Sequence, residues 1–270
     1  MLASLLLYCV LGAVAGFLAG LLGIGGGAVI VPMLVFSFGW QGISPDVAMH
    51  MAIGTSLGSI VFTAFSSAMA HHKKGGVDWN VFRKITPGIL AGTYLGSFIA
   101  AQIPGKWLQL FFSAFLFYVA ANMLRNKKTN PDRTLPGLAG MTCAGLGIGG
   151  VSSLVGIGGG TLSVPFLVRH NVDMRRAVGT SSSIGIAIAV AGCLGYVTNG
   201  WGAESLPKYA LGYLYLPALA GIVAVSTLTA PVGASVAHRL PVPKLKKIFG
   251  CFLFIVGTKM LVDAIHFMAG

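Results

Sequence analysis

The sequence predicts an all-α polytopic membrane protein made of two inverted-topology repeats, each of about five helical segments. Three observations predict this fold: a very apolar composition, ten apolar segments along the chain, and an internal duplication. Of the 270 residues, 55% are hydrophobic and only 9% are charged, whereas soluble domains have about 25% charged residues. So few charged side chains do not cover a water-facing surface of this size, which excludes a soluble enzyme.

The apolar segments fall at 2–22, 28–38, 47–70, 85–103, 107–124, 137–155, 160–168, 177–199, 210–236 and 248–268. The second and seventh are too short to span a bilayer, because eleven helical residues cover about 16 Å of a roughly 30 Å hydrocarbon core. Each of these two follows a cluster of glycines. We therefore expect segments one and two, and segments six and seven, to form helix pairs broken or re-entrant within the membrane.

Most of the 18 Lys and Arg residues lie in four short stretches, at 73–84, 125–133, 169–176 and 239–247. These stretches follow the third, fifth, seventh and ninth segments, so they occupy alternate loops. Cytoplasmic loops are the ones enriched in Lys and Arg. The net charge of +12 is thus interpreted as a topology signal, not as a nucleic-acid surface, and it predicts that both termini lie outside the cell.

The internal duplication is the strongest signal in the sequence. LLGIGGGAVIVP at 21–32 returns as LVGIGGGTLSVP at 154–165, AIGTS at 52–56 as AVGTS at 177–181, and FLFYVAANML at 115–124 as FLFIVGTKML at 252–261. These matches predict a first transmembrane repeat at 1–125, a cytoplasmic linker at 126–136 and a second transmembrane repeat at 137–270. Five segments per repeat make the second copy enter the membrane from the opposite side, which gives an inverted repeat.

The duplicated motifs supply the candidate substrate-binding residues. The glycines permit a sharp turn and close approach of a ligand, and the helix that follows each cluster begins with unpaired N–H groups that suit an anion. The GTS hydroxyls are neutral donors that replace part of an anion's hydration shell. The candidates are Gly25, Gly26, Gly27, Thr55, Ser56, Gly158, Gly159, Gly160, Thr180 and Ser181. The alternative is that the glycines serve close helix packing and the hydroxyls serve interhelical hydrogen bonds.

Several other polar residues have two interpretations. A stripe of Ser56, Ser59, Thr63 and Ser66 on one helical face lines a pathway or bonds between helices. Asp46 and Asp173 are expected to cap helix starts. Lys259 and Asp263, four residues apart in the last apolar segment, are expected to pair, or the Lys side chain snorkels to the surface. No motif indicates a metal site, a catalytic group or a cofactor.

At GIGGGAVIVP and GIGGGTLSVP, each followed by a GTS element, the chain resembles the TauE/SafE family of sulfite exporters, within the toluenesulfonate uptake permease superfamily. The resemblance covers both halves. It implies a multi-pass transporter in the plasma (inner) membrane of a bacterium or archaeon, with small sulfur-containing anions as substrates. The glycines that match the family motif are Gly25, Gly26, Gly27, Gly158, Gly159 and Gly160.

We therefore expect a secondary transporter, specifically an exporter, of small sulfur oxyanions such as sulfite or organosulfonates. Access to a central site between the two Gly-rich helix breaks would alternate between the two sides of the membrane. The alternatives are an anion channel on the same scaffold, and a non-transporting membrane enzyme or partner subunit. The expected partners are the anion and the lipid bilayer, with no nucleic acid. An oligomer is possible but not required, since two halves complete one site.

Overall fold

The structure, a computed structural model, describes residues 2–22, 26–125, 134–237 and 242–269. It confirms an all-α fold, with ten helices and one short hairpin in the described parts of the chain. The elements are α1 (Leu2–Leu22), α2 (Gly27–Trp40), α3 (Pro45–Lys73), α4 (Trp79–Gln102), α5 (Gly105–Arg125), α6 (Leu138–Val155), α7 (Gly160–Arg169), α8 (Met174–Asn199), β1 (Ala210–Leu211), β2 (Leu214–Tyr215), α9 (Leu216–Ala237) and α10 (Val242–Ala269). Most of the predicted linker, and Gly25, lie outside the described residues.

Each predicted apolar segment corresponds to one helix, with one difference at the start of the ninth. Residues 210–215 form a two-stranded antiparallel hairpin in which Ala210 pairs with Tyr215. Gly212 and Tyr209 have positive φ angles of 54° and 69°, which a helix does not accommodate. The apolar composition of this stretch hides the turn, so hydropathy alone extends the helix too far toward the N-terminus.

Among the residues that the structure describes, five helices are long and apolar enough to cross a membrane: α3, α5, α6, α8 and α10. Shorter apolar stretches occur in α1, α2 and α9. Pro32 and Pro165 lie inside the short helices α2 and α7, which continue past them. The protein is therefore a multi-pass membrane protein that combines membrane-spanning helices with shorter ones.

The helices α1 and α2 fold back on each other as a hairpin. Gln41, the residue that follows α2, donates a 2.6 Å hydrogen bond from its side-chain amide to the hydroxyl of Tyr8 in α1. The end of α2 therefore returns to the level of the early part of α1. Pro45 begins α3 just after this point.

Helices α3 and α8 cross in the middle of the molecule and run antiparallel. Near one end of their contact, the hydroxyls of Ser67 and Ser182 lie 3.1 Å apart. Near the other, Leu57 packs against Gly192, where a Cβ would lie 2.7 Å from a Leu57 methyl. Residue numbers that rise in one helix and fall in the other define the antiparallel direction, and this pair forms the centre on which the other helices pack.

Two of the further helix pairs that connect the halves of the chain are α1 with α9 and α4 with α6. In the second pair, glycines of both helices lie at the contact. A Cβ on Gly149 would lie 2.6 Å from the carbonyl oxygen of Ile89 and 2.7 Å from the Thr93 hydroxyl. In the first pair, a Cβ on Gly12 would lie 2.8 Å from the Ile222 backbone. Small residues let the backbones approach closely, the usual basis of helix association in lipid.

We predict that Gly149→Ala destabilises the protein, because the added methyl group collides with the α4 backbone; the expected cost is about 1–3 kcal/mol. Gly147→Ala is the matched control on the same helix, since a Cβ there meets nothing within 4 Å and alanine is the better helix former. The measurement is the fraction of monodisperse detergent-solubilised protein that survives heating. Equal survival of the two variants would contradict the packing described here.

Candidate functional site

Helices α2 and α7 both begin at a glycine with a left-handed backbone. Gly26 precedes α2 with φ 71°, and Gly159 precedes α7 with φ 78°. Neither helix start has a side-chain cap. The carbonyl oxygens of both glycines accept hydrogen bonds from the first turn of the helix that follows. A residue with a Cβ is strained at this φ, so the two breaks require glycine.

The two breaks meet in the interior. A Cβ on Gly27 would lie 2.9 Å from the Ile157 Cα and would collide with the carbonyl oxygen of Gly156. Gly156 in turn packs against α3, where its Cβ would lie 3.2 Å from the Ile53 Cα. The start of α2 therefore contacts the turn between α6 and α7 directly. We call this place the Gly-rich crossing and define it as residues 26–27 and 156–160.

The crossing lies near the middle of both central helices. Gly158 contacts α8 closely, since a Cβ on Gly185 would lie 2.8 Å from the Gly158 carbonyl oxygen. The far end of α2 leads into the start of α3, and the far end of α7 leads into the start of α8. Because α3 and α8 are antiparallel, α2 and α7 approach the crossing from opposite ends of the molecule. Their N-termini, the positive ends of their dipoles, therefore both point toward it.

The serines of the two GTS motifs both bond at the crossing. The Ser56 hydroxyl donates to the carbonyl oxygen of Gly156 at 2.9 Å. The hydroxyls of Ser181 and Ser163 lie 2.7 Å apart, and Ser163 also donates to the carbonyl oxygen of Gly159. Both GTS serines are almost fully buried. They hold the backbone turns of the second break in place, which joins the helix breaks and the GTS motifs in one structural unit.

The threonines of the two GTS motifs have equivalent roles: each accepts a hydrogen bond from a backbone N–H in the other half of the chain. The Thr55 hydroxyl accepts a 3.0 Å hydrogen bond from the backbone N–H of Tyr215, immediately before α9. The Thr180 hydroxyl accepts a 2.9 Å bond from the backbone N–H of Asp78, immediately before α4. Each threonine of one half therefore anchors the fourth helix of the other half. Both are 0% exposed.

The remaining polar residues are placed as follows. Ser59 and Thr63 donate to carbonyl oxygens of their own helix, and Ser66 is exposed. The hydrogen bond to α8 on this part of α3 comes from Ser67, which is not a member of the stripe. Asp173 caps α8, as expected, through the N–H of Arg175. The expectation for Asp46 is wrong: Ser44 is the N-cap of α3 and Pro45 takes the next position, which shifts Asp46 into the first turn.

Lys259 and Asp263 form the expected ion pair, at 3.1 Å, on the surface of α10. Their side chains are 61% and 40% exposed, so the pair belongs to the surface and not to the crossing. The Lys259 ammonium also lies over the ring of Phe36 in α2, 5.2 Å from its centroid.

Sequence reasoning did not single out His50. Its ring is 4% exposed and stacks on Tyr213 of the hairpin, with 5.0 Å between ring centroids. One ring nitrogen lies 3.0 Å from the carbonyl oxygen of Ala100 and 3.1 Å from that of Ile103. His50 thereby joins α3 to the end of α4 and to the hairpin. A lone histidine in an apolar run carries no signal that reveals such a contact.

Short discontinuous helices whose breaks meet inside a helical membrane protein, and whose first turns point at one buried place, are typical of secondary transporters. The fold and the crossing therefore define the class of membrane transporters. The chain belongs to the TauE/SafE family of sulfite exporters, whose sequence profile matches residues 8–260.

The relatives agree with this assignment. A protein of Haemophilus influenzae named "probable membrane transporter protein" is 37% identical over 262 residues, covering 96% of this chain and 99% of the relative. A protein of Methanocaldococcus jannaschii with the same description is 28% identical over 264 residues and 95% of both chains. The Bacillus subtilis probable membrane transporter protein YunE is 27% identical over 282 residues, 97% of this chain and 99% of the relative. No solved structure matches the chain significantly. The protein is a multi-pass plasma-membrane transporter.

We predict that Thr55→Val and Thr180→Val each destabilise the protein, because each leaves one backbone N–H without its acceptor; the expected cost is about 1–3 kcal/mol. Thr55→Ser and Thr180→Ser are the matched controls, since they keep the hydroxyl. The measurement is thermal survival in detergent, as above. Valine variants as stable as the serine variants would show that the two hydroxyls do not anchor α9 and α4.

Proposed function

We propose that the protein is a secondary transporter that exports small sulfur oxyanions, such as sulfite or organosulfonates, through a central site at the Gly-rich crossing. The observation that carries this proposal is the contact of the start of α2 with the turn before α7. The proposed site residues are Gly25, Gly26, Gly27, Thr55, Ser56, Gly158, Gly159, Gly160, Thr180 and Ser181. Gly25 enters on the sequence motif alone, because it lies outside the described residues.

The first turns of α2 and α7 would bind the anion. The first N–H groups of a helix have no acceptor within the helix, and its N-terminus carries about half a positive charge. Glycine at the cap lets the backbone itself approach the ligand. Ser56 and Ser181 fix the turns that present these groups, and Thr55 and Thr180 fix the helices behind them. The family's name supports sulfite or a related anion as the substrate.

The pattern of helix contacts supports two inverted repeats. If each helix of residues 1–125 is exchanged with the corresponding helix of residues 137–270, the packed pair α1–α9 becomes the pair α6–α4. The packed pair α3–α8 becomes itself. Both kinds of contact occur in the structure. The two threonine bonds to the fourth helices obey the same exchange. In this proposal the repeats rock against each other, so that the crossing opens to either side in turn.

Export of this kind needs no coupling ion. A singly charged anion that leaves a cell with a negative interior gains about 2.3 kcal/mol per 100 mV of membrane potential. The transporter then works as a uniporter, and the direction of transport follows from the potential and the anion gradient.

The function is tested by counterflow in proteoliposomes that contain the full chain. Vesicles are loaded with unlabelled sulfite and diluted into labelled sulfite, with sulfate, sulfoacetate, thiosulfate and chloride as competitors. A carrier gives transient accumulation of label inside the vesicles. Flux without accumulation would indicate a channel, and no flux of any of these anions would contradict the proposal.

We predict that Gly159→Leu and Gly27→Leu each reduce transport at least about a hundredfold, because the added side chains fill the crossing and strain the break. A Cβ on Gly159 would already collide with Ile188. Gly39→Leu is the matched control in α2, where a Cβ meets nothing within 4 Å. Transport is measured per inserted protein, quantified by surface labelling. Wild-type transport by either crossing variant would remove the crossing from the pathway.

We predict that Asp263→Asn leaves transport and its dependence on a pH gradient unchanged, because the ion pair with Lys259 lies on the outer surface of α10 and not at the crossing. The measurement is sulfite counterflow with and without an imposed pH gradient. Lys259→Gln, which removes the other member of the ion pair, is the second variant. Loss of a gradient-driven flux in Asp263→Asn alone would make Asp263 a coupling group and rule out uniport.

A further inference from the structure

In the described part of the chain, no charged side chain is buried at the Gly-rich crossing. No Lys, Arg, Asp or Glu is among the buried residues described. The ionisable groups on the four helices α2, α3, α7 and α8 around the crossing are Asp46, His50, His71, His72 and Lys73 on α3, Arg169 on α7, and Arg175, Arg176, Cys193 and Tyr196 on α8. The nearest of these groups along the chain is Arg176, five residues from Ser181, which corresponds to about 8 Å of helix. All the others are at least six residues from Ser56, Ser181 or Gly160.

His50 is the buried histidine of this group, and its ring is engaged elsewhere. Its two nitrogens lie 3.0–3.1 Å from the carbonyl oxygens of Asp46, Ala100 and Ile103. The ring face stacks on Tyr213. His50 thus serves the junction of α3, α4 and the hairpin, and it leaves the crossing without a cation of its own.

The crossing therefore offers an anion the two helix dipoles and neutral donors. Two helix N-termini at about half a positive charge each amount to about one positive charge. Two hydroxyls beside the second break have no hydrogen-bond partner among the described residues: Ser152 Oγ and Thr161 Oγ1. Ser152 is 1% exposed and lies in the last turn of α6, where its carbonyl oxygen accepts the N–H groups of Gly156 and Ile157. Thr161 lies in the first turn of α7.

A buried hydroxyl without a partner is costly, and such groups normally have a water or a ligand as partner. Ser152 Oγ is therefore a second, independent indication of a ligand at this break. Hydroxyls solvate an oxyanion but add no net charge. The compensation available at the crossing remains close to one unit, and a second negative charge on the ligand would be buried without a counter-charge, which is strongly unfavourable.

We propose that the crossing accepts its oxyanion in the singly charged form and rejects doubly charged anions of the same size, with the Ser152 hydroxyl as one of the ligand's donors. This inference rests on the proposed function and specifies its substrate class. Monosulfonates and hydrogen sulfite have the required charge, whereas sulfate and fully deprotonated sulfite do not. Sulfite therefore crosses the membrane together with the proton that it carries in solution.

The test compares three anions in proteoliposomes containing the full chain. Methanesulfonate is singly charged and sulfate doubly charged throughout the accessible pH range, and hydrogen sulfite loses its proton near neutral pH. We expect methanesulfonate flux to exceed sulfate flux at least about tenfold, which corresponds to about 1.4 kcal/mol. Between about pH 6 and about pH 8 we expect sulfite flux to fall severalfold and methanesulfonate flux to stay constant. The constant flux controls for titration of the protein.

Sulfate flux equal to methanesulfonate flux, or sulfite flux that rises with pH, would overturn this inference and leave the proposed transport function intact. No flux of any of the three anions would overturn the proposed function as well.

A matched pair of variants tests the donor. Ser152→Ala is expected to lower methanesulfonate flux about tenfold, the usual loss of a hydrogen bond to a charged group. Ser153→Ala is the control, because Ser153 already donates to the carbonyl oxygen of Gly150 in its own helix and is equally buried. Both variants are checked for monodispersity. Unchanged flux in Ser152→Ala would overturn the assignment of this hydroxyl to the anion.

Discussion

The constraint on which this structure depends is that lipid offers no hydrogen-bond partner to a backbone polar group. A helix that stops inside the membrane must have its end groups satisfied by the protein. At the two short helices, the carbonyl oxygens of the preceding glycines accept hydrogen bonds from N–H groups of the first turn. Buried serines such as Ser56 and Ser163 donate to carbonyl oxygens of the second break. The same arrangement leaves first-turn N–H groups directed at a common interior place. The solution to a folding problem and the candidate anion site are thus one piece of structure.

The sequence predicts much of this fold, because membrane helices are visible as apolar segments and a duplication is visible as repeated sequence motifs. All ten segments have helical counterparts, and the glycine motifs start the short helices as expected. The hairpin at 210–215 is missed because its residues are apolar, and Asp46 is misplaced because Pro45 begins the helix one residue earlier. These errors come from local backbone geometry, on which hydropathy carries no information.

The site is less predictable, because its parts come together through packing between distant segments. The sequence names Thr55 and Thr180 as polar residues of a repeated motif, yet only the fold shows that each bonds to the other half. His50 and Ser152 carry no motif at all. The role of His50 depends on a carbonyl oxygen fifty residues away in the chain. That of Ser152 depends on the lack of a hydrogen-bond partner among the described residues. Such roles follow from coordinates and not from residue type.

The pairing of α1 with α9 and of α4 with α6 has a consequence for biosynthesis. Nearly two hundred residues separate the end of α1 from the start of α9, which at ordinary translation rates takes about 10–40 s to synthesise. During that interval the glycine-rich face of α1 has no partner from its own chain. Until the second half is inserted, this face of α1 must therefore be covered by lipid or by the insertion machinery.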